Sequence, residues 1–107
     1  MDKSTKFKRL NKALKTLGAP VAYHHFDEAV EAPFIVYYSP NVVNTLADNS
    51  IYHQLDSYEI ELYTDYKDIE LEQKMHDLLT EMEVVYYKYE TYIQDEKLYM
   101  QTYQITV

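Results

Sequence analysis

The spacing of apolar residues changes period along this chain, and that change limits the fold more than any other feature. In residues 4–17, Phe7, Leu10, Ala13, Leu14 and Leu17 recur at intervals of three and four, with Lys8, Lys12 and Lys15 opposite them. This spacing predicts an amphipathic helix with one buried stripe. Gly18 is the only glycine and stands where a helix needs a left-handed closing residue. Pro20 has no N–H with which to continue the helix. In residues 57–64 the period falls to two: Tyr58, Ile60 and Leu62 alternate with Ser57, Glu59 and Glu61, the pattern of a half-buried strand.

The remaining segments sort by the same rule. Val21–Phe26 reads as a short strand, and Ala32–Tyr38 as a stronger one bounded by Pro33 and Pro40. Asp27-Glu28-Ala29-Val30-Glu31 is the polar connection between them. Asn41–Ser50, rich in Asn and Asp, keeps neither period and is expected to be a loop of about ten residues, long enough to point to a role in binding or mobility. Val42, Val43 and Leu46 are apolar side chains within it that need a place to go. Ile51–Thr64 is a long strand whose parity changes near Leu55–Ser57, where a bulge is expected. Asp68 is a good N-cap for a second helix over 69–82, with Glu70 and Glu72 facing its dipole and Leu71, Met75, Leu78, Leu79 and Met82 as its stripe. Two final strands, 84–93 and 97–107, meet at Gln94-Asp95-Glu96. Tyr99, Tyr103, Ile105 and Val107 share a face of the last one, and Gln101 falls at a position of that alternation where an apolar residue is expected.

The order is therefore α-β-β-β-α-β-β, and tight turns favour an antiparallel sheet. The fold class expected is α+β: residues 1–107 form a single two-layer domain with both amphipathic helices on one face of the sheet. A hydrophobic content of 47% argues against a disordered chain. No run of 18 apolar residues is present and the N-terminus lacks the apolar stretch of a signal peptide, so a cytosolic, non-membrane protein is expected.

Charge is divided along the chain. Residues 1–17 carry six basic side chains against one acidic, net +5, and the other 90 carry four basic against seventeen acidic, net −13. An acidic body repels phosphate, so general nucleic-acid binding is not expected. A basic stripe formed by Lys8, Lys12 and Lys15 suits contact with an acidic neighbour, either another copy or a partner, although a merely solvated helix face carries the same pattern.

Chemistry has little to stand on. Cysteine is absent, which removes disulfides and thiolate metal sites. His24 and His25 are adjacent, so in a strand they point to opposite faces. His76 follows Glu72 by four residues but lacks a third ligand, and His53 is alone. Ser4, Ser39, Ser50 and Ser57 lack a nucleophile's context, and Glu59 with Glu61 reads as the wet side of a sheet rather than an acid/base pair. No catalytic residue, metal ligand or cofactor site is expected. Tyrosine is the unusual residue, thirteen of 107, concentrated in the strands. Its apolar body and polar tip suit a contact surface, and for the set as a whole an interface is the expected account.

Several stretches in order and spacing carry a resemblance. They are Pro33-Phe34-Ile35-Val36-Tyr37, Ala47-Asp48-Asn49, Tyr52 and Tyr58-Glu59-Ile60-Glu61-Leu62-Tyr63-Thr64. Lys67-Asp68 and Leu71-Glu72 follow, then Glu90-Thr91-Tyr92-Ile93, Lys97-Leu98-Tyr99 and Tyr103. Together, over most of residues 20–107, they resemble the tail-completion (tail-to-head joining) proteins of siphophages and prophages of low-GC Gram-positive bacteria. Family members often have proline where this chain has Ile69. The resemblance implies a non-enzymatic homo-oligomeric ring, six copies in the related proteins, at the head–tail junction of a virion and in the host cytoplasm during assembly. It further implies that the ring ends the tail tube, docks it to the head connector and passes DNA only as cargo. The expected partner-binding residues are Lys8, Lys12, Lys15, Val42, Val43, Leu46, Asp48 and Asn49. The alternatives are another head–tail connector component, or a small cytosolic adaptor that oligomerises through a tyrosine-rich sheet.

Overall fold

A computed structural model describes the backbone of residues 3–47 and 50–106 and the side chains of residues 8–40 and 57–106. The elements are α1 (Lys3–Lys15), β1 (Val21–Tyr23), β2 (Phe34–Ala47), β3 (Ser50–Thr64), α2 (Ile69–Glu81), β4 (Tyr86–Ile93) and β5 (Leu98–Thr106). Their order is the one expected, and the architecture is α+β. The sheet runs β1-β2-β3-β5-β4.

Local turns and hydrogen bonds close the ends of both helices. After α1 the N–H groups of Thr16 and Leu17 tighten the last turn by donating to the carbonyls of Ala13 (3.0 Å) and Leu14 (3.1 Å). Gly18 then turns the chain at φ +85°, a conformation that costs an L side chain energy. At α2 the Asp68 carboxylate accepts the N–H of Leu71 at 3.0 Å, which satisfies one of the orphan donors of the first turn. That helix closes through Glu83 at φ 59°, with the Val84 N–H donating to the Leu79 carbonyl at 2.9 Å.

The alternation in β3 decides which side of the sheet is covered. Ile35 and Tyr37 of β2, Tyr58, Ile60 and Leu62 of β3, and Tyr103 and Ile105 of β5 form one core with Leu10 and Leu14 of α1 and Leu71, Met75 and Leu79 of α2. Each fully buried aliphatic side chain there contributes about 1.5–3 kcal/mol over its exposed state. Gln101 lies in the same alternation and is fully buried, and its amide donates to Glu90 Oε1 at 2.7 Å. That hydrogen bond satisfies the buried amide N–H, while Gln101 Oε1 has no hydrogen-bond partner among the described residues. Lys67 bridges Glu72 and Glu90, each at 2.8 Å, and Lys88 reaches Glu72 at 2.9 Å, so α2 is tied to β4 by charge as well as by packing.

Two expectations are corrected. The sheet is mixed rather than antiparallel: β1 runs parallel to β2, pairing Val21 with Ile35 and Tyr23 with Tyr37, while all other neighbours are antiparallel. A parallel return usually takes a dozen or more residues, so the ten between Tyr23 and Phe34 gave no hint of one. The 41–50 segment is not a loop either. Residues 41–47 continue β2 and pair with residues 50–57 of β3, from Asn41↔Ser57 to Ala47↔Ser50. β-Branched Val42, Val43 and Thr45 favour this extended pairing over the turn preference of the Asn residues around them. The irregularity expected near Leu55–Ser57 lies in the facing strand, where the register shifts between Tyr38 and Asn41, and a second shift lies between Thr45 and Leu46. Pro40 sits inside the first shift, where a residue without an N–H is admissible.

β5 pairs with β3 only from Ser57 to Thr64. Beyond that point β2 and β3 form a two-stranded arm, and seven residues of strand carry it about 23 Å past the sheet. The molecule is correspondingly long, 50 × 27 × 23 Å with a radius of gyration of 15.0 Å, against about 13 Å for a compact chain of this size.

Candidate assembly surface

The uncovered face of the sheet carries the residues of the opposite parity: Phe34, Val36 and Tyr38 of β2, Glu59, Glu61 and Tyr63 of β3, and Tyr87 and Tyr89 of β4. It is neither plainly wet nor plainly apolar. Glu59 accepts hydrogen bonds from Tyr38 (2.5 Å) and Gln104 (3.1 Å), and Glu61 accepts one from Tyr63 (2.8 Å). Both phenols are pushed well above the usual tyrosine range. For Tyr38 the hydrogen bond to Glu59 is the leading cause; for Tyr63 burial leads, followed by its bond to Glu61 and the charges of Glu61 and Glu96. Among the described residues no lysine or arginine pairs with Glu59 or Glu61. The expectation that this pair is the solvated side of a sheet is too simple, because both are half-buried and held by tyrosines.

One end of this face is a groove of about 650 Å³. His24 turns the chain at φ 70°, and the connection that follows it folds over the sheet. Phe26 meets Phe34 edge-on at 5.8 Å, and Phe34 stacks on Tyr63 at 4.7 Å. Val36 and Leu98 line the floor with them, and Glu28, Glu61 and Glu96 supply three carboxylates. Aromatic faces beside carboxylates form a surface suited to a cation carried on an apolar stem.

The left-handed turn also alters the histidine reading. His24 and His25 do not alternate across a strand; their Nδ1 atoms lie 3.0 Å apart, and His25 Nε2 is 3.3 Å from Asp27. Among the described residues no group of three or more His, Cys, Asp or Glu could hold a metal ion. His76 pairs with the Tyr86 hydroxyl at 2.6 Å.

The sequence-derived partner residues fall in separate places. Lys8, Lys12 and Lys15 are exposed along α1, on the helix side of the sheet, and neither they nor Arg9 has an ion-pair partner among the described residues. Val42, Val43 and Leu46 lie in the arm, where the register sets Val43 opposite Leu55 and Leu46 opposite Ile51. Asp48 and Asn49 are outside the described residues. The tyrosines divide: Tyr37, Tyr58 and Tyr103 are buried core, while Tyr23, Tyr66, Tyr87, Tyr89 and Tyr92 are exposed. Sequence reasoning missed the groove. The parity of Phe34 and Tyr63 was readable, but nothing in the sequence showed that Phe26 would fold back onto them.

No protein-family model matches the chain, and no curated protein matches it. Among the described residues no helix is long and apolar enough to cross a membrane.

Proposed function

We propose that this chain is a structural assembly protein, a ring-forming component of a phage head–tail junction that ends the tail tube and docks it to the head connector. The observation that carries the assembly part of this reading is the arm. A two-stranded ribbon in water is marginal without a third strand, and among the described residues no third strand pairs with this one past β5. Such an element is suited to finish its packing against a neighbouring molecule. The acidic, tyrosine-bearing face adds a second surface of the same kind. Two neighbour contacts of about 800 Å² each fit within the 7206 Å² of accessible surface. The phage assignment rests on the resemblance of residues 20–107 to tail-completion proteins. The acidic body is compatible with DNA as passing cargo rather than as a bound ligand.

Particle association tests it. The protein is expected to co-sediment with intact phage particles, and its loss to leave filled heads and finished tails unjoined. A protein found only in the soluble fraction, with particles assembling normally in its absence, would sink the junction reading and favour the cytosolic adaptor that oligomerises through the tyrosine-bearing face.

A further inference from the structure

The basic stripe and the acidic groove lie on opposite faces of one sheet. Leu10 and Leu14 of α1 pack on Ile35 and Tyr37, whereas the groove is built on Phe34 and Tyr63, which have the other parity. The stripe of a chain therefore cannot enter its own groove. Both halves of a charge match are present, and among the described residues neither half is ion-paired. Lys8, Lys12 and Lys15 follow one side of the helix at intervals of four and three residues, about 10 Å from end to end. Glu28, Glu61 and Glu96 line the groove among its aromatic walls, and the described ion pairs engage none of these six residues.

We infer that the groove formed by Phe26, Phe34 and Tyr63 with Glu28, Glu61 and Glu96 receives the Lys8–Lys12–Lys15 stripe of α1 from a second copy of this chain. Lysine stems lie along the aromatic rings and the ammonium groups meet the carboxylates. The contact is head-to-tail. Each copy offers a donor on its helix face and an acceptor on its sheet face, which closes into a ring when the rotation between copies permits and otherwise gives an open filament. This inference deepens the ring reading above and rests on it for the closed form.

Charge reversal tests it with the full-length protein. One variant carries Lys8→Glu, Lys12→Glu and Lys15→Glu; the other carries Glu28→Lys and Glu96→Lys, both at exposed positions. Sedimentation velocity over a range of concentrations is expected to show self-association weakened at least tenfold in each variant alone. An equimolar mixture of the two should associate again, because every acidic helix then finds a basic groove and every basic helix an acidic one. Thermal unfolding confirms that both variants fold. The inference is overturned if either variant associates like the wild type, if the mixture of folded variants stays apart, or if the wild-type chain remains monomeric throughout. Particle association separates this from the broader reading. Variants that associate normally while the wild type is found at the junction overturn the groove and leave the ring. Reciprocal rescue by a protein absent from particles leaves the groove and removes the junction.

Discussion

β2 and β3 belong to two different environments along their own length. From Phe34 to Tyr38 and from Tyr58 to Thr64 they lie inside a five-stranded sheet, with α1 and α2 packed on one side and ladders continuing on both flanks. From Val42 to Ala47 and from Ser50 to Asp56 the same two strands pair, among the described residues, only with each other. Hydrogen bonding between the two strands is similar in both halves, so the difference lies in what surrounds it. Strand pairing is necessary for a sheet, but burial of its side chains supplies most of its stability, and function tends to lie where burial ends.

The largest expected effect lies in the body. Ile60→Ala removes a fully buried side chain at the centre of the core and should cost about 2–5 kcal/mol, read from urea or thermal unfolding. Replacing residues 42–55 by a short turn should change body stability by no more than about 1 kcal/mol, because among the described residues no other strand of the sheet pairs with the arm, yet it should abolish assembly. A comparable stability loss from both variants would erase the contrast between the two halves. Hydrogen exchange sharpens it at single amides: those of residues 58–63 should exchange only with global unfolding, while those of residues 42–46 exchange by local opening in the free chain and slow in the assembly.

Smaller effects test the joints. Asp68→Ala removes the N-cap of α2 and should cost about 1 kcal/mol, with Asp68→Asn recovering most of it. The pH dependence has a definite sign. The Lys67 ammonium, and then the Gln101 amide, hold the Glu90 carboxyl below the usual glutamate range. A carboxyl lowered on folding stabilises the protein above its unfolded pKa of about 4.3, and that contribution is lost as pH falls through the folded value. Both partners are about 40% exposed, so the loss should be under about 1 kcal/mol, and Lys67→Met should flatten the acid limb of the stability curve.

Much of the body was legible from its sequence because burial writes itself into periodicity. The stripes of α1 and α2, the Asp68 cap, the Gly18 closure and the parity of Tyr58, Ile60 and Leu62 each follow from one local rule. The arm escaped because residues 41–50 keep neither period, so the repeated Asn residues outweighed the β-branched ones in any reading of local preference. The groove escaped for a different reason: it depends on a return of the chain from His24 to Pro33 that brings Phe26 onto Phe34, and residues eight apart leave no period to detect. The lysines of α1 were readable as a stripe, whereas their proposed acceptor emerges only once the sheet has two sides.

The ion pairs between α2 and β4 bear on how far the sheet can grow. β4 is an outermost strand, eight residues long and free of proline, the sort of rim onto which another strand can be added. Lys88 and Glu90 point from that rim toward the helix layer, where Glu72 and Lys67 meet them. A strand added there would shield these charges further from water without supplying new partners for them. Charge turned inward at a margin thus discourages indefinite lateral extension at this edge of the sheet.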